Sequence, residues 1–204
     1  MKKKPKIDVV AQLTKEAIRA EIEPVLQTMG IPYKTWGRKG ATRHFKDFVS
    51  AMSENELRWE YESQSRILEM DVAVITVRIE IDGQLYELRE THRKFKNGFV
   101  EKRDKFDGSL AETVKDNETA YAAAIRGLAE ELGQTKKLFE TPSTYHLVLD
   151  SYETLEPQDF PSYPPFQIIY HRRKFISTID KRLYAKRYKC VEKNKTTYFG
   201  WVKI

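Results

Sequence analysis

The sequence predicts an α+β protein in which a mixed β-sheet is flanked by helices and preceded by an N-terminal helical extension. Three observations support this fold class. Apolar residues near the N-terminus recur with a helical period of about 3.6 residues. The middle of the chain instead alternates apolar and polar residues, as half-buried strands do. An alanine-rich helical segment then separates these strands from further strand-like runs in the last third.

The helical extension is predicted over residues 1–56, and the remaining domain over 57–204. Its first helix is expected from Asp8, the predicted N-cap, to about Met29, with a break or kink at Pro24 because proline lacks an amide donor. A second helix is expected over about 42–55. The apolar faces of these helices can pack on the core or on a protein partner, and the sequence leaves both open.

Strands are predicted next, over 71–81 and 84–90, joined by Asp82-Gly83, which is a strong hairpin signal. A short strand is predicted over 99–103, and a loop over 104–117. Prolines between 157 and 165 interrupt regular structure. The later strands are predicted over 144–149, 166–170, 188–191 and 197–202, the last two as a closing hairpin around 193–195.

The net charge of +6 is unevenly distributed along the chain. Residues 151–204 hold 11 Lys/Arg and 5 Asp/Glu, or +6, and the four lysines at positions 2, 3, 4 and 6 add +4, so residues 7–150 carry −4. A basic flank beside an acidic middle suits a polyphosphate substrate. Lysine and arginine that only keep exposed strands soluble explain the same pattern.

Composition excludes two classes of protein. No apolar run approaches the roughly 20 residues that cross a bilayer, so no membrane association is expected. The single cysteine, Cys190, excludes an intramolecular disulfide framework and suits a cytoplasmic location. Cys190 alternates with polar residues in a strand-like run, so we interpret it as a packing residue and not as a nucleophile.

The segment 118–133 is the most informative part of the sequence. Its alanine-rich middle favours helix, Asn117 is the predicted N-cap, and Gly133 stands where a left-handed residue ends a helix. Positions 127, 130 and 131 share one helix face because residues three and four apart are neighbours there. Glu130 and Glu131 therefore bring two carboxylates together, which a divalent cation with oxygen ligands would stabilise.

This segment resembles the Nudix box, the loop-helix motif of hydrolases that act on nucleoside diphosphates linked to another moiety. The residues in register with that motif are Glu118, Arg126, Leu128, Glu130, Glu131 and Gly133. Three positions depart from it. Gly127 replaces the glutamate that usually helps to bind metal, Glu112 stands at the leading glycine, and Gln134 replaces the terminal aliphatic residue.

The resemblance implies an α/β/α sandwich of Nudix type and metal-dependent hydrolysis of a nucleoside diphosphate-linked pyrophosphate. It implies Mg²⁺ or Mn²⁺ as cofactor and a nucleotide-type small molecule as ligand. Glu130 and Glu131 are the implied metal ligands, and Glu131 and Arg126 the implied catalytic residues. Arg126 lies one turn before Glu130 and can orient a carboxylate by a forked hydrogen bond.

Several alternatives stay open at this stage. Loss of the glutamate at position 127 also fits a catalytically impaired module that binds a nucleotide or a protein partner. Nucleic-acid binding by the basic C-terminal segment is a third possibility, since aromatic and cationic residues interleave there, but strand alternation favours burial of those aromatics. The candidates for a replacement metal ligand are Glu87, Glu90, Glu112, Asp116 and Glu118, and those for a later base are Glu153 and Glu156.

Overall fold

The computed structural model describes residues 14–38, 43–96, 98–102, 109–133, 141, 143–192 and 195–204. The chain divides into two compact units. The first contains the described residues up to Leu68 together with Gln158–Ile168, and the second contains Glu69–Pro157 and Ile169–Ile204. Helices combine with a mixed sheet, so the predicted α+β class is confirmed. The predicted domain division between 56 and 57 stays a prediction.

In the first unit, helix α1 (Lys15–Thr28) begins at Thr14, whose side chain accepts a hydrogen bond from the Ala17 amide at 3.2 Å. The predicted N-cap, Asp8, lies outside the described residues. Of the two effects predicted for Pro24, the break does not occur, because α1 continues through Pro24 to Thr28, and the kink stays a prediction. Proline removes only one amide donor, and burial of Ile22 and Leu26 on the neighbouring turns offsets that loss.

Helix α2 (Phe45–Ser53) is shorter than predicted and begins at His44, whose amide donates to the Asp47 carboxylate at 2.9 Å. Its apolar face is covered within the first unit. The Phe48 side chain is fully buried, stacks on Phe166 with ring centroids 5.7 Å apart, and contacts Trp36 and Tyr163 edge-on. The open question about this face is therefore answered for Phe48, which packs inside its own unit. A protein partner at the helices stays a prediction.

In the second unit, β1 (Ile67–Ile81) and β2 (Gln84–Phe95) form the predicted hairpin, with positive φ angles of 52° at Asp82 and 75° at Gly83. The strands of the sheet follow the order β5, β7, β1, β2, β9, β8, with β3 beside β2 and β4 beside β1. The remaining strands are β3 (Val100–Lys102), β4 (Leu110–Thr113), β5 (Tyr145–Thr154), β6 (Gln158–Asp159), β7 (Gln167–Ile179), β8 (Arg187–Val191) and β9 (Lys195–Lys203). Strand β6 and the first two residues of β1 and of β7 belong to the first unit.

Residues 104–108 of the predicted loop over 104–117 lie outside the described residues, and the prediction is wrong for 110–113, which form β4. This strand pairs antiparallel with β1, and Glu112 lies opposite Ala73. Leu110 is the one apolar residue of β4 that is buried in the core. A single buried position does not make an alternating pattern of apolar and polar residues, so the sequence does not indicate a strand here. Pairing with β1 supplies the hydrogen bonds that stabilise it.

The helix of the motif, α3 (Ala120–Glu131), packs on this sheet through small side chains. Ala123 and Ala124 are fully buried, as is Leu128, and they share the core with Ile75 of β1. Short side chains on the buried face allow the helix backbone to approach the strands closely. Among the described residues, no helix combines the length and the apolar character that spanning a bilayer requires.

Candidate functional site

The start of α3 differs from the prediction. Thr119, and not Asn117, is the N-cap, because its backbone is extended and its hydroxyl accepts from the Ala122 amide at 3.1 Å. Asn117 instead has a φ of 59° and belongs to the preceding turn. Glu118 therefore lies before the helix and not within it. At the other end, Gly133 follows the C-cap with a φ of 65°, the left-handed conformation that the sequence predicts.

Arg126 connects α3 to the segment that precedes it. Its Nε donates to Glu118 Oε1 at 3.1 Å and its Nη2 to Glu118 Oε2 at 3.0 Å, which is a forked hydrogen bond to one carboxylate. Nη2 also donates to the carbonyl of Thr113 at 2.8 Å. Burial acts to raise the pKa of Glu118, but the hydrogen bonds from Arg126 and from the Lys115 amide, together with the charges of both residues, outweigh it and lower the pKa. Glu118 is thus held as an anion against the guanidinium.

Two further carboxylates share the same guanidinium. Arg126 Nη1 lies 2.7 Å from Oε2 of Glu112 and 3.9 Å from Oε1 of Glu130. Burial acts to lower the pKa of Arg126, but the hydrogen bonds that Arg126 donates to Glu118 and Glu112, together with the charges of both carboxylates, outweigh it and raise the pKa. Arg126 is therefore a permanent cation that faces three acidic groups. Glu130 is the most exposed of these, with 57% of its side chain accessible.

Glu112 fills the space above Gly127. A Cβ atom built at position 127 would lie 2.3 Å from Cγ of Glu112, far inside van der Waals contact. Glu112 is two residues from Leu110, so both side chains project from the same face of β4, and Leu110 packs with α3 in the core. Burial raises the pKa of Glu112 to about 7, opposed by Arg126 and reinforced by Glu130 and Glu131. Glu130 and Glu131 therefore both lie within electrostatic reach of Glu112.

Glu131 lies beside Cys190 of β8 and Glu192, the residue that follows this strand. The sequence pattern does not associate these residues with Glu131. Its Oε2 is shielded from solvent and has no hydrogen-bond partner within the described part of the chain. Burial raises the pKa of Glu131, opposed by the nearby thiol of Cys190. The ligand atoms of Glu131, Cys190 and Glu192 lie within 4.8 Å of one another. No local spacing predicts this group, since strand pairing across the sheet brings Cys190 and Glu192 to the helix end.

The thiol of Cys190 is not activated in this arrangement. Burial raises its pKa to about 12, and the charge of Glu131 reinforces the shift. A nucleophilic cysteine requires a lowered pKa, because the thiolate is the reactive form. The local electrostatics are therefore those of an inert cysteine, as expected for the packing role that the sequence favours.

The other candidate acids lie elsewhere. Asp116 and Glu156 are exposed. Glu87 forms ion pairs with Arg78 and Arg89, at 3.6 and 3.3 Å. Glu90 binds Arg93 through both carboxylate oxygens. Glu153 forms ion pairs with Arg172 at 2.8 Å and with Lys174 at 3.3 Å. The structure thus gathers Glu112, Glu118 and Glu130 around Arg126.

The basic C-terminal segment buries part of its aromatic content. Phe175 and Tyr188 are 3% and 7% exposed, so their rings are not available to stack on bases. Tyr184 is 43% exposed and lines an open cleft of about 690 Å³ together with Lys186 and Arg187. Nucleic-acid binding by this segment stays a prediction, and Tyr184 is one accessible ring among its described residues.

Comparison with known proteins gives structural likeness only. No protein-family model and no curated protein sequence matches this chain. The chain is similar to an Ap4A hydrolase of C. elegans, with a TM-score of 0.39 and 14% identity over 66% of this chain and 80% of that one. A binary complex of C. elegans Ap4A hydrolase gives 0.42 and 13% over the same shares. DR0079 from Deinococcus radiodurans gives 0.31 and 14% over 65% and 66%. Because these TM-scores are low, the likeness does not indicate the function of this chain.

Proposed function

We propose that this protein is a metal-dependent hydrolase of Nudix type that cleaves a nucleoside diphosphate-linked pyrophosphate. The observation that supports this most is the sharing of Arg126 among Glu112, Glu118 and Glu130. Three of these four residues, Glu118, Arg126 and Glu130, are in register with the motif. In the fold all four form one connected cluster at a loop-helix junction, which supports the proposal.

The residues of the cluster fit a hard divalent cation. One guanidinium faces three carboxylates, with Glu131 further along the helix, so negative charge is in excess. Oε2 of Glu131 is shielded and has no hydrogen-bond partner among the described residues, a condition that is costly for a carboxylate oxygen unless a ligand satisfies it. Carboxylate oxygens are the ligands that Mg²⁺ and Mn²⁺ prefer, usually with substrate phosphates completing the shell. Glu130 and Glu131 would hold the ion.

A divalent ion bound there would neutralise charge that develops on the phosphate oxygens. The protein's own contribution is positioning. Arg126 fixes Glu118 by a forked hydrogen bond and so fixes the loop that enters α3. Glu131 would orient a water for attack. The new bond joins the water oxygen to phosphorus while the bridging P–O bond breaks. The bridging oxygen and its electron pair leave with the second phosphate, and the proton of the water is released to solvent, which gives two phosphorylated products.

The test is release of phosphate or nucleotide from a panel of nucleoside diphosphate derivatives, with and without millimolar Mg²⁺ or Mn²⁺. Wild type is compared with Glu131→Gln, which removes the charge at nearly constant volume. Glu80→Gln is a matched control because Glu80 is an exposed carboxylate on β1. We expect metal-dependent release by wild type and by the control, and none by Glu131→Gln with its unfolding midpoint retained.

Two results would contradict the proposal. Equal turnover by Glu131→Gln would remove the role assigned to that residue. Absence of release from every compound, with the protein shown to be folded, would favour the alternative of a catalytically impaired module that binds a nucleotide or a protein partner. Equilibrium binding of the same compounds would then identify its ligand.

A further inference from the structure

Gly127 and Glu112 depart from the motif in complementary ways. The motif has glycine at position 112 and glutamate at 127, and this chain has glutamate at 112 and glycine at 127. The two residues are fifteen positions apart in sequence but adjacent in the fold, since a Cβ at 127 would lie 2.3 Å from Cγ and 3.4 Å from Cδ of Glu112. The Glu112 side chain therefore passes through the space that a side chain on residue 127 would occupy.

We propose that Glu112 supplies the third carboxylate of the metal site, from β4, in place of the glutamate that α3 lacks at Gly127. This inference rests on the proposed function, because it specifies the ligands of that same site. Compared with the motif, the carboxylate comes from strand β4 and not from helix α3. It still lies beside the turn of α3 that contains Gly127. Neither residue could change alone: glutamate at both positions would clash, and glycine at both would leave a void and remove one acidic group.

The position of β4 supplies the geometry for this exchange. Pairing of Glu112 with Ala73 of β1 fixes the backbone of the strand, and strand alternation places Glu112 on the face that carries Leu110 into the core below α3. From this strand the Glu112 side chain extends toward Arg126 and Glu130. Oε2 of Glu112 and Oε1 of Glu130 both face Nη1 of Arg126, at 2.7 and 3.9 Å.

Glu112 also suits the role better than the other candidates. Both oxygens of Glu118 accept hydrogen bonds from Arg126, and Oε2 accepts another from the Lys115 amide at 3.2 Å. The hydrogen bond that Glu112 makes within the described chain uses Oε2 alone, so Oε1 is the atom assigned to the metal. Asp116 is exposed, in the turn that follows β4.

The experiment measures Mn²⁺ binding without substrate, by the loss of the free-ion EPR signal on titration of the whole protein. Glu112→Gln keeps the size of the side chain and its hydrogen bond to Arg126. We expect it to weaken Mn²⁺ binding by about tenfold or more, since even outer-shell changes reach that scale. The double variant E112G/G127E restores the order of the motif and should recover most of the affinity. Asp116→Asn is the control and should bind as wild type does.

The outcomes separate this inference from the proposed function. If Glu131→Gln loses Mn²⁺ while Glu112→Gln binds it as tightly as wild type does, Glu112 is only a counter-ion of Arg126 and the inference is wrong, whereas the proposed function stands. If wild type itself binds no Mn²⁺, both are wrong. Circular dichroism and unfolding midpoints check each variant, and Glu112→Asp, which keeps the charge but shortens the reach, replaces Glu112→Gln if the latter does not fold.

Discussion

Arg126 holds both carboxylate oxygens of Glu118, which lies eight residues earlier and outside the helix. The forked hydrogen bond closes the turn between β4 and α3, and the contact of Arg126 with the Thr113 carbonyl at 2.8 Å ties the end of β4 to the same point. Strand, turn and helix are thereby fixed relative to one another. This junction therefore also fixes the position of the end of α3 that carries Glu130 and Glu131.

Replacing Arg126 by lysine should destabilise the protein although the charge is kept. A lysine ammonium cannot make the fork to Glu118 and bind Glu112 at the same time, because it lacks the planar guanidinium. We expect a loss of about 1.5–3 kcal/mol in the free energy of unfolding, the range for hydrogen bonds to charged groups. Urea titration measures it. Arg89→Lys is the matched control, since Arg89 is half exposed and its ion pair with Glu87 should contribute little. Equal losses in the two variants would contradict the prediction.

Glu118 should stabilise the fold in a pH-dependent way. Burial acts to raise its pKa, but the hydrogen bonds and charge of Arg126, together with those of Lys115, outweigh this, so the folded pKa is below the ordinary value of 4.5. A carboxyl with a lowered folded pKa contributes stability above its unfolded pKa and loses it as pH falls through the folded value. The stability difference between wild type and Glu118→Gln should therefore be constant near neutral pH and shrink below 4.5.

Urea titrations from neutral to acidic pH measure this difference. The same comparison in the Arg126→Lys background is the control, because the fork that lowers the pKa of Glu118 is then absent. There the stability difference should be smaller and its pH dependence weaker. A difference between wild type and Glu118→Gln that stays constant into strong acid would show that the fork does not bias the protonation of Glu118.

The Ser109 side chain connects β1 and β2 at the point where their direct pairing ends. Its hydroxyl donates to the carbonyl of Leu88 and accepts from the amide of Val77 at 2.8 Å, so it bridges β1 and β2 just beyond their paired residues. Ser109 is 1% exposed. Ser109→Ala should cost about 1–3 kcal/mol, because it leaves a buried donor and acceptor without this partner. Thermal and urea unfolding measure the loss, with exposed Ser151→Ala as the control. A loss no larger than that of the control would contradict this account.

The sequence predicted the features that local chemistry determines. The turn at Asp82-Gly83 follows from residues that tolerate positive φ, and α3 follows from its alanines and from Gly133 at its end. Strand β4 could not be predicted, because its identity depends on pairing with β1 and its sequence offers four residues of weak alternation.

The same limit applied to the site. Spacing along α3 predicts that Glu130 and Glu131 share one face of the helix, but it cannot choose among the candidate third carboxylates. That choice depends on which strand lies beneath Gly127, a relation between residues far apart in sequence. The sequence could not predict the grouping of Glu131 with Cys190 and Glu192 for the same reason. These residues are far apart in sequence, and β8 lies beside the helix only once the sheet has formed.

Alanine at position 127 should have opposite effects in two backgrounds. In wild type the new Cβ would lie 2.3 Å from Glu112 Cγ, so Glu112 must rotate and lose its contact with Arg126. Gly127→Ala should then destabilise the protein despite the higher helix propensity of alanine. In the Glu112→Ala background the space is open, and the same change should stabilise by up to about 1 kcal/mol. Urea titration of the four proteins gives the coupling energy of this cycle. Equal effects of Gly127→Ala in both backgrounds would show that Glu112 does not occupy the space above Gly127.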